Sequence, residues 1–155
     1  MILITTGRKP GMASRRVARR LSALVPHSIY LTRGKRSVDE LIDYARTEGL
    51  RKIIFMNDYH GNPGEIRSIS LGKNEWDWDK HYLKIQNITV SENKPRKPFD
   101  SYVAVKGKES NIFQDIFAME NEEDADIVFY GEADHFLFER EGKELLRAKI
   151  KIMSE

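Results

Sequence analysis

The fold is decided by the opening of the chain, residues 1–31, which read MILITTGRKPGMASRRVARRLSALVPHSIYL. Two short apolar runs, at residues 2–5 and 27–31, flank a segment with an apolar residue at every third or fourth position. Continuous apolar runs of this length are typical of strands buried on both faces of a parallel sheet. The stretch therefore predicts a strand, a helix that ends before Pro26, and a second strand parallel to the first.

A second strand-and-helix unit follows directly. Residues 38–45 have helical apolar spacing, and Ser37 followed three residues later by Glu40 is the spacing of a capping box. Gly49 is well placed to end this helix, and the apolar run at residues 52–56 predicts a third parallel strand. The amino-terminal part of the chain is therefore predicted as a βαβαβ unit, with its loops at the carboxyl ends of the strands.

Beyond this unit the pattern changes to alternating strands and connectors. Turn residues cluster at 58–64, both tryptophans fall in a predicted loop at 72–79, and the polar segment 91–98 is predicted as a connector. A helix is predicted at 112–117. Further strands are predicted at 66–71, 80–90, 99–105, 126–130, 136–140 and 146–152.

Length and composition limit the class of protein. A chain of 155 residues is the usual size of one domain, here predicted as two tandem α/β halves with mixed sheets, at residues 1–75 and 80–155. With 40% hydrophobic and 32% charged residues, a disordered chain is excluded, and no apolar run is long enough to span a bilayer. The absence of cysteine excludes disulfides and thiolate chemistry. The start lacks the pattern of a signal peptide, so we expect a soluble, cytoplasmic protein with no membrane partner.

Charge is unevenly distributed along the chain. Residues 1–36 hold nine basic side chains and no acidic one, whereas residues 109–145 hold twelve acidic side chains and two basic ones. Such segregation concerns partners more than fold. The two segments either pair with each other or are merely solvated, or else each binds a partner of opposite charge. The nine basic residues are Arg8, Lys9, Arg15, Arg16, Arg19, Arg20, Arg33, Lys35 and Arg36.

The first predicted helix has an arginine-rich face. Helical periodicity places Arg15, Arg16 and Arg19 in one arc opposite the apolar stripe, with Arg20 at its flank. No acidic residue of this helix is available to neutralise them by pairing along the helix. Because the guanidinium fork suits phosphate, this face predicts binding to a polyanion.

Two basic loops are predicted to meet at one edge of the sheet. The first follows the first strand and contains Arg8 and Lys9, and the second follows the second strand and contains Arg33, Lys35 and Arg36. The carboxyl ends of parallel strands open on the same edge, so we expect these loops to be neighbours. The glycines of the first loop do not have the spacing of a Walker A or dinucleotide-binding loop, so nucleotide binding is not expected.

Candidate catalytic groups are sparse. The four histidines lack the spacing of metal ligands, and no nucleophile motif occurs. Asp58 with His60, and Asp134 with His135, have the residue types of acid–base pairs, although polar residues at turns explain them more simply. The sequence therefore predicts a protein that is not an enzyme, with no cofactor, metal or small-molecule substrate. A small nuclease that uses Asp58, His60 or His135 is the enzymatic alternative.

The aromatic residues fall into two groups. The phenylalanines of the carboxyl-terminal half have core spacing and are predicted to pack. Trp76 and Trp78 share a polar segment, where they either stack on RNA bases or fill a small satellite core. The last strand carries Arg147, Lys149 and Lys151 on one face, which is either a second basic surface or a solvated outer face.

Several of these segments resemble the Brix domain family. Residues 2–10 (ILITTGRKP), 14–16 (SRR) and 31–34 (LTRG) resemble the start, the arginine-rich helix and the short second strand of Brix domains. Residues 61–64 (GNPG) resemble the turn after their third strand, and the last predicted strands are also similar. The resemblance covers nearly the whole chain and is greatest to the short archaeal single-domain members.

The resemblance implies both a fold and a function. It implies two α/β halves, each similar to the anticodon-binding domain of class II aminoacyl-tRNA synthetases. It also implies a non-enzymatic factor in ribosome biogenesis that binds ribosomal RNA or its precursor and assists its processing and assembly, together with assembly factors or ribosomal proteins. We predict that RNA contacts the nine basic residues above together with Trp76 and Trp78. The acidic segment 109–145 is predicted to meet a protein partner, so a pure protein-interaction module stays an alternative.

Overall fold

The computed structural model describes residues 1–93 and 102–155, and these form three helices and one sheet of ten strands. The helices are α1 (Met12–Leu24), α2 (Val38–Thr47) and α3 (Ser110–Phe117). The strands are β1 (Ile2–Thr6), β2 (Ser28–Tyr30), β3 (Lys52–Tyr59), β4 (Asn62–Leu71), β5 (Trp76–Trp78), β6 (His81–Val90), β7 (Val103–Lys106), β8 (Ile127–Gly131), β9 (His135–Arg140) and β10 (Lys143–Ser154).

The order of the strands shows a recurring arrangement. The sheet runs β2-β1-β3-β4-β6-β10-β9-β8-β7, with β5 paired to β4. β1 is parallel to β2 and β3, and β7 is parallel to β8, whereas the remaining pairs are antiparallel. A parallel pair with a helical connection, followed by antiparallel strands, thus occurs twice, and β6 pairs with β10 where the two series meet. The mixed α/β fold is confirmed, and the division at residues 75–80 stays a prediction.

The sheet is curled, and its two faces carry separate cores. The larger core contains Leu21 of α1, Phe117 of α3 and Leu146 of β10, so it continues through both series of strands. The smaller core contains Leu41 of α2 and Ile53 of β3. Consequently α1 and α3 lie on one face of the sheet, and α2 lies on the other.

The local signals for α2 are confirmed. The Ser37 hydroxyl accepts a hydrogen bond from the Glu40 backbone N–H at 3.1 Å, and the Glu40 carboxylate accepts one from the Ser37 N–H at 3.4 Å. This is a capping box, which satisfies free N–H groups at the helix start. Gly49 follows the helix with a φ of 72°, a left-handed conformation that glycine adopts without strain.

The prediction of a loop at residues 72–79 is wrong at residues 76–78. Residues 76–78 form β5, which pairs with β4 from Ile69 to Leu71. The physical reason is the edge of β4, because β6 pairs with that strand only at Glu65 and Ile66 and leaves its far end free. In the carboxyl-terminal half, β7 begins at Val103, and the predicted strand start at Phe99 and most of the connector lie outside the described residues. No helix within the described ranges is long and apolar enough to cross a membrane.

Candidate nucleic-acid interface

Helix α1 presents the two faces that its periodicity predicts. Val17 and Leu21 are buried against the sheet, at 3% and 0% exposure. Arg15, Arg16 and Arg19 are exposed on the opposite side. The apolar stripe therefore fixes the rotation of the helix, and this rotation turns the three arginines toward solvent.

The amino end of α1 is capped from a distant strand. Its N-cap residue is Gly11, which has no side chain to accept the free N–H groups of the first turn. Asp58 at the end of β3 supplies that acceptor: its carboxylate accepts the Gly11 N–H at 2.6 Å and also the Ser14 hydroxyl. A carboxylate at this position is also favoured by the helix dipole. Sequence reasoning missed this role because 47 positions separate Gly11 and Asp58.

A groove of about 730 Å³ runs along the outer side of α1. Its wall beyond the helix is formed at the end of β6, and its lining combines guanidinium groups with small or apolar side chains. Among the residues that the structure describes, no acidic side chain lines it. The lining residues are Met12, Ala13, Arg15, Arg16, Arg19, Arg20, Ala23 and Val90.

Three of these arginines contact neighbouring groups, Arg15 only through a 3.4 Å hydrogen bond to the Pro10 carbonyl. Arg20 donates to the Asn93 carbonyl at 2.6 Å and to the Ser91 carbonyl at 2.9 Å, so it is half-buried and holds the far wall to the helix. Burial, together with the nearby charge of Arg16, lowers the pKa of Arg20. The Arg19 guanidinium lies 5.4 Å from the centre of the Tyr30 ring, a cation–π distance. The groove thus has one arginine fixed to its wall and three that reach solvent.

The positive charge of this region is not paired with acidic side chains among the described residues. Ion pairs at Lys52, Arg67, His135 and Arg147 occur within residues 1–93 and 102–155, and none of these involves a basic residue of the first 36. The alternative in which the basic and acidic segments pair with each other is therefore not seen in the described structure. Uncompensated guanidinium groups in one groove attract an anion.

The two basic loops are neighbours, as the parallel sheet predicts. The Thr5 hydroxyl donates to the Leu31 carbonyl at 2.6 Å, which joins the ends of β1 and β2. Arg33 reaches back across this contact and donates to the Thr6 carbonyl at 3.0 Å. Arg8, Lys9, Lys35 and Arg36 are all exposed around this junction.

Arg33 corrects the expectation that every basic residue here faces outward. Its exposure is 6%, and besides Thr6 it donates to the Arg36 carbonyl at 2.7 Å. The guanidinium lies 5.6 Å from the centre of the Phe55 ring, and burial together with the charge of Arg8 lowers the pKa of Arg33. Arg33 therefore fixes the two loops to each other and is not available to a ligand at the surface.

The tryptophans lie on the other face of the sheet from α1. Trp78 stands opposite Ile69, which belongs to the core beneath α2, and Trp76 is two residues away on the same strand face. The centroid of the Trp78 ring lies 5.4 Å from that of Phe55 and 6.3 Å from that of Trp76. Trp78 is 39% exposed and Trp76 is 36% exposed. The structure does not bring them together with the arginines of α1, and their contact with RNA stays a prediction.

The acid–base alternatives occupy ordinary surface positions. Both carboxylate oxygens of Asp58 are engaged by the start of α1, whereas His60 is exposed at a turn. Asp134 and His135 form a 2.7 Å contact on the surface. Within the part of the chain that the structure describes, no group of three or more His, Asp or Glu side chains is arranged to hold a metal ion.

Comparison with known proteins places the chain among archaeal relatives. It is 33% identical to a probable Brix domain-containing ribosomal biogenesis protein of Pyrococcus horikoshii over 90 residues. This match covers 58% of the present chain and 40% of the relative. A protein of the same name from Thermococcus kodakarensis is 29% identical over 127 residues, with 76% of this chain and 61% of the relative covered. The chain is similar in sequence to these Brix domain-containing proteins, and it spans 40% and 61% of the length of the two relatives. No protein-family model matches it.

Solved structures show the same fold. A probable ribosomal biogenesis protein of Aeropyrum pernix aligns with a TM-score of 0.75 at 21% identity, over 99% of this chain and 98% of that one. Mil, an archaeal Imp4-like protein, aligns with a TM-score of 0.76 at 20% identity over all of both chains. The mixed sheet described above is therefore the fold of these structures.

The segments that carry the Brix resemblance divide into structural and exposed residues. Thr5, Thr6 and Arg33 are buried and join β1 to the loop after β2. Ser14 is buried and donates to Asp58. In contrast, the arginines of the 14–16 segment are exposed. The resemblance thus includes both the scaffold of this sheet edge and the charged surface on it.

The acidic segment forms a second exposed surface. Between α3 and β8 lie Glu120, Glu122, Glu123 and Asp124, all exposed. None of the ion pairs in the described ranges engages these four carboxylates. This loop therefore presents uncompensated negative charge, in contrast to α1.

Proposed function

We propose that the chain is a non-catalytic RNA-binding factor in ribosome biogenesis, which binds ribosomal RNA or its precursor in the groove along α1. The observation that carries this proposal is the groove itself, which in the described part of the chain is lined by four arginines and by no acidic side chain. The names of the relatives, which are ribosomal biogenesis proteins, support the biological role. In this proposal each α/β half corresponds to an anticodon-binding domain of a class II aminoacyl-tRNA synthetase, as the Brix resemblance implies.

The lining of the groove suits a single RNA strand. Guanidinium groups bind phosphate oxygens through charge-assisted hydrogen bonds. Met12, Ala23 and Val90 line the same groove, and their apolar surface suits the ribose and base of the strand. Phosphate contacts position the RNA without reading its sequence, so this groove supplies affinity and register.

The exposed loops extend the same surface. Arg8 and Lys9 precede α1, and Lys35 and Arg36 follow β2, which pairs alongside β1. Arg33 supports them from below by joining the two loops. We propose that the RNA backbone continues from α1 onto these loops. The acidic loop at residues 120–124 would then remain free for a basic assembly factor or ribosomal protein.

The decisive experiment removes charge from α1 and from a matched surface. One variant replaces Arg15, Arg16 and Arg19 by glutamine; the control replaces Arg147, Lys149 and Lys151 by glutamine. The control residues alternate with core residues of β10 and therefore face away from α1. Each variant loses three positive charges, so the two differ only in where the charge is removed. If about five basic residues contact phosphate, binding of single-stranded RNA by the parent should fall with salt at a slope of about −3.5 on logarithmic axes.

The expected result is specific to α1. The α1 variant should bind RNA more weakly at every sequence, with a salt slope smaller in magnitude by about 2. Its stability should change by no more than about 0.5 kcal/mol for each exposed site. If the control variant weakens RNA binding equally, the effect of charge is diffuse, and this result would contradict the proposal that RNA binds in the groove along α1. If the parent binds only protein partners, independently of salt, the protein-interaction alternative replaces this proposal.

The absence of catalysis is tested separately. We expect purified protein to leave labelled precursor ribosomal RNA intact while binding it. Cleavage that disappears in the His60→Ala variant would contradict the proposal and favour the nuclease alternative.

A further inference from the structure

The hairpin between β3 and β4 presents an aromatic pair outside the groove on α1. β3 ends at Tyr59 and β4 begins at Asn62, and these residues pair across the hairpin. The two residues between them, His60 and Gly61, both have positive φ angles, 51° and 81°. Positive φ at both central residues is what the tight type I′ turn requires, and this turn holds the flanking strand ends in register. Tyr59 is therefore fixed at the tip of the hairpin, opposite Asn62, and a register shift between Asn57 and Asp58 lies just behind it.

The hairpin tip lies against the amino end of α1. Gly11 approaches it so closely that a Cβ atom there would lie 2.7 Å from the Gly61 carbonyl oxygen. Asp58, which precedes Tyr59, holds the same end of α1 through its bond to the Gly11 N–H. Gly11 in turn directly precedes Met12, which lines the groove. The tip is thus placed at the point where the groove begins.

Tyr59 is open to a ligand. Its exposure is 70%, although its ring touches His60 with the centroids 4.3 Å apart and the planes at 70°. The hairpin holds the stem of the side chain, because a Cβ atom on Gly64 would lie 2.4 Å from that of Tyr59. A fixed stem with an exposed ring costs little conformational entropy on binding. The ring buries little surface in folding, so the core does not explain its position.

We propose that Tyr59 stacks on a nucleobase of a single RNA strand whose phosphates lie along α1. This inference rests on the proposed function and adds a contact to a base, which the arginines do not supply. Proteins that bind single-stranded RNA combine a positively charged track with aromatic rings on which bases stack. A base inside a duplex is already stacked on both sides, so Tyr59 gives the site a preference for unpaired RNA.

The test separates the base from the backbone. Fluorescence anisotropy measures binding of a labelled oligoadenylate and of an abasic ribose–phosphate strand of the same length. The variants are Tyr59→Ala, Tyr59→Leu and Tyr59→Phe, and the control is Tyr102→Ala. Tyr102 is also exposed, at 47%, but contacts His27 just beyond the carboxyl end of α1. We expect Ala or Leu at position 59 to weaken oligoadenylate binding roughly 5- to 150-fold. Phe and the control should bind like the parent, and every variant should bind the abasic strand like the parent.

Each other outcome overturns a stated part of the argument. Parent-like binding of oligoadenylate by Tyr59→Ala and Tyr59→Leu overturns the stacking contact, while the proposed function stands if the α1 glutamine variant still loses RNA. If the Tyr59 variants lose binding to the abasic strand to the same extent, the hairpin acts only through the shape of α1. That result also overturns the stacking contact. If the parent binds neither strand, the proposed function fails and this inference fails with it.

Discussion

Helices α1 and α3 occupy corresponding places in the two series of strands, but they differ in length and in the charge of their exposed faces. Each connects two parallel strands, and each buries its apolar stripe in the same large core. α1 has 13 residues and four arginines, whereas α3 has 8 residues and none. The exposed residues of α3 are Asn111 and Asp115, where α1 exposes arginine.

The surroundings of the two helices differ in the same way. Polar groups organise the region of α1: Asp58 caps the helix, and Arg33 joins the loops beside it. The region of α3 is organised by aromatic packing, with the rings of Phe113, Phe117 and Phe129 at centroid distances of 5.3 and 6.1 Å. Because α3 packs into the same core without any arginine, core packing does not require Arg15, Arg16 and Arg19. These three side chains face solvent and are available to a ligand, whereas Arg20 is bonded to the wall of the groove.

The largest expected effect tests whether the two helices share one core. Leu21→Ala in α1 should lower the free energy of unfolding by about 2–5 kcal/mol, and Phe117→Ala in α3 by about 3–5 kcal/mol, because each leaves a cavity among buried side chains. Denaturant unfolding followed by circular dichroism should show a single transition for both. Two transitions, only one of them shifted by each variant, would show that the regions fold independently.

A smaller effect concerns Asp79, a half-buried carboxylate that follows β5. Asp79 accepts hydrogen bonds from Lys52, Ser68 and Ser70. Burial opposes its ionisation, but these hydrogen bonds, together with the charge of Lys52, outweigh burial and lower the pKa of Asp79 below its ordinary value. The stabilisation by Asp79 is therefore fully present at a pH above its pKa in the unfolded chain, and it is lost as the pH falls through its lower pKa in the folded protein. Asp79→Asn should cost about 1–3 kcal/mol at neutral pH and flatten the acid limb of the stability curve.

The matched control for Asp79 lies in the carboxyl-terminal region. Hydrogen bonding to His135 lowers the pKa of Asp134 as well, but that side chain is 79% exposed. Asp134→Asn should therefore leave the unfolding midpoint unchanged across the same pH range, measured by urea titration. An equal loss in both variants would contradict the assignment of the stabilisation to the network around Asp79.

The smallest expected effect compares the two helix starts. Asp58→Ala removes the carboxylate that accepts the Gly11 N–H, so it should cost about 0.5–2 kcal/mol. Glu109 precedes α3 and makes no capping hydrogen bond through its side chain, so Glu109→Ala should cost about 0.5 kcal/mol or less. Thermal unfolding of the two variants measures the difference. Equal costs would show that Asp58 does not act as the cap of α1.

Local sequence signals were enough to predict several elements correctly. Apolar periodicity placed the buried stripe of α1 and therefore the outward direction of Arg15, Arg16 and Arg19. The Ser37–Glu40 spacing located the start of α2. Parallel strands fixed the edge on which the two basic loops meet. Each of these follows from the repeat of a helix or strand or from a contact only a few residues apart, which a linear pattern records.

The roles of individual polar residues follow from their positions in the folded chain and could not be predicted from the sequence. Arg33 and Arg8 read alike in the sequence, but the fold buries the first against backbone carbonyls and leaves the second exposed. Asp58 has the residue type of an acid–base group, but the end of β3 places it against the start of α1. Trp76 and Trp78 fall on the face opposite the arginines, because β5 takes the free edge of β4. These roles depend on contacts between residues distant in the chain, where burial and available hydrogen-bond partners, and not residue type, determine the function of a charge.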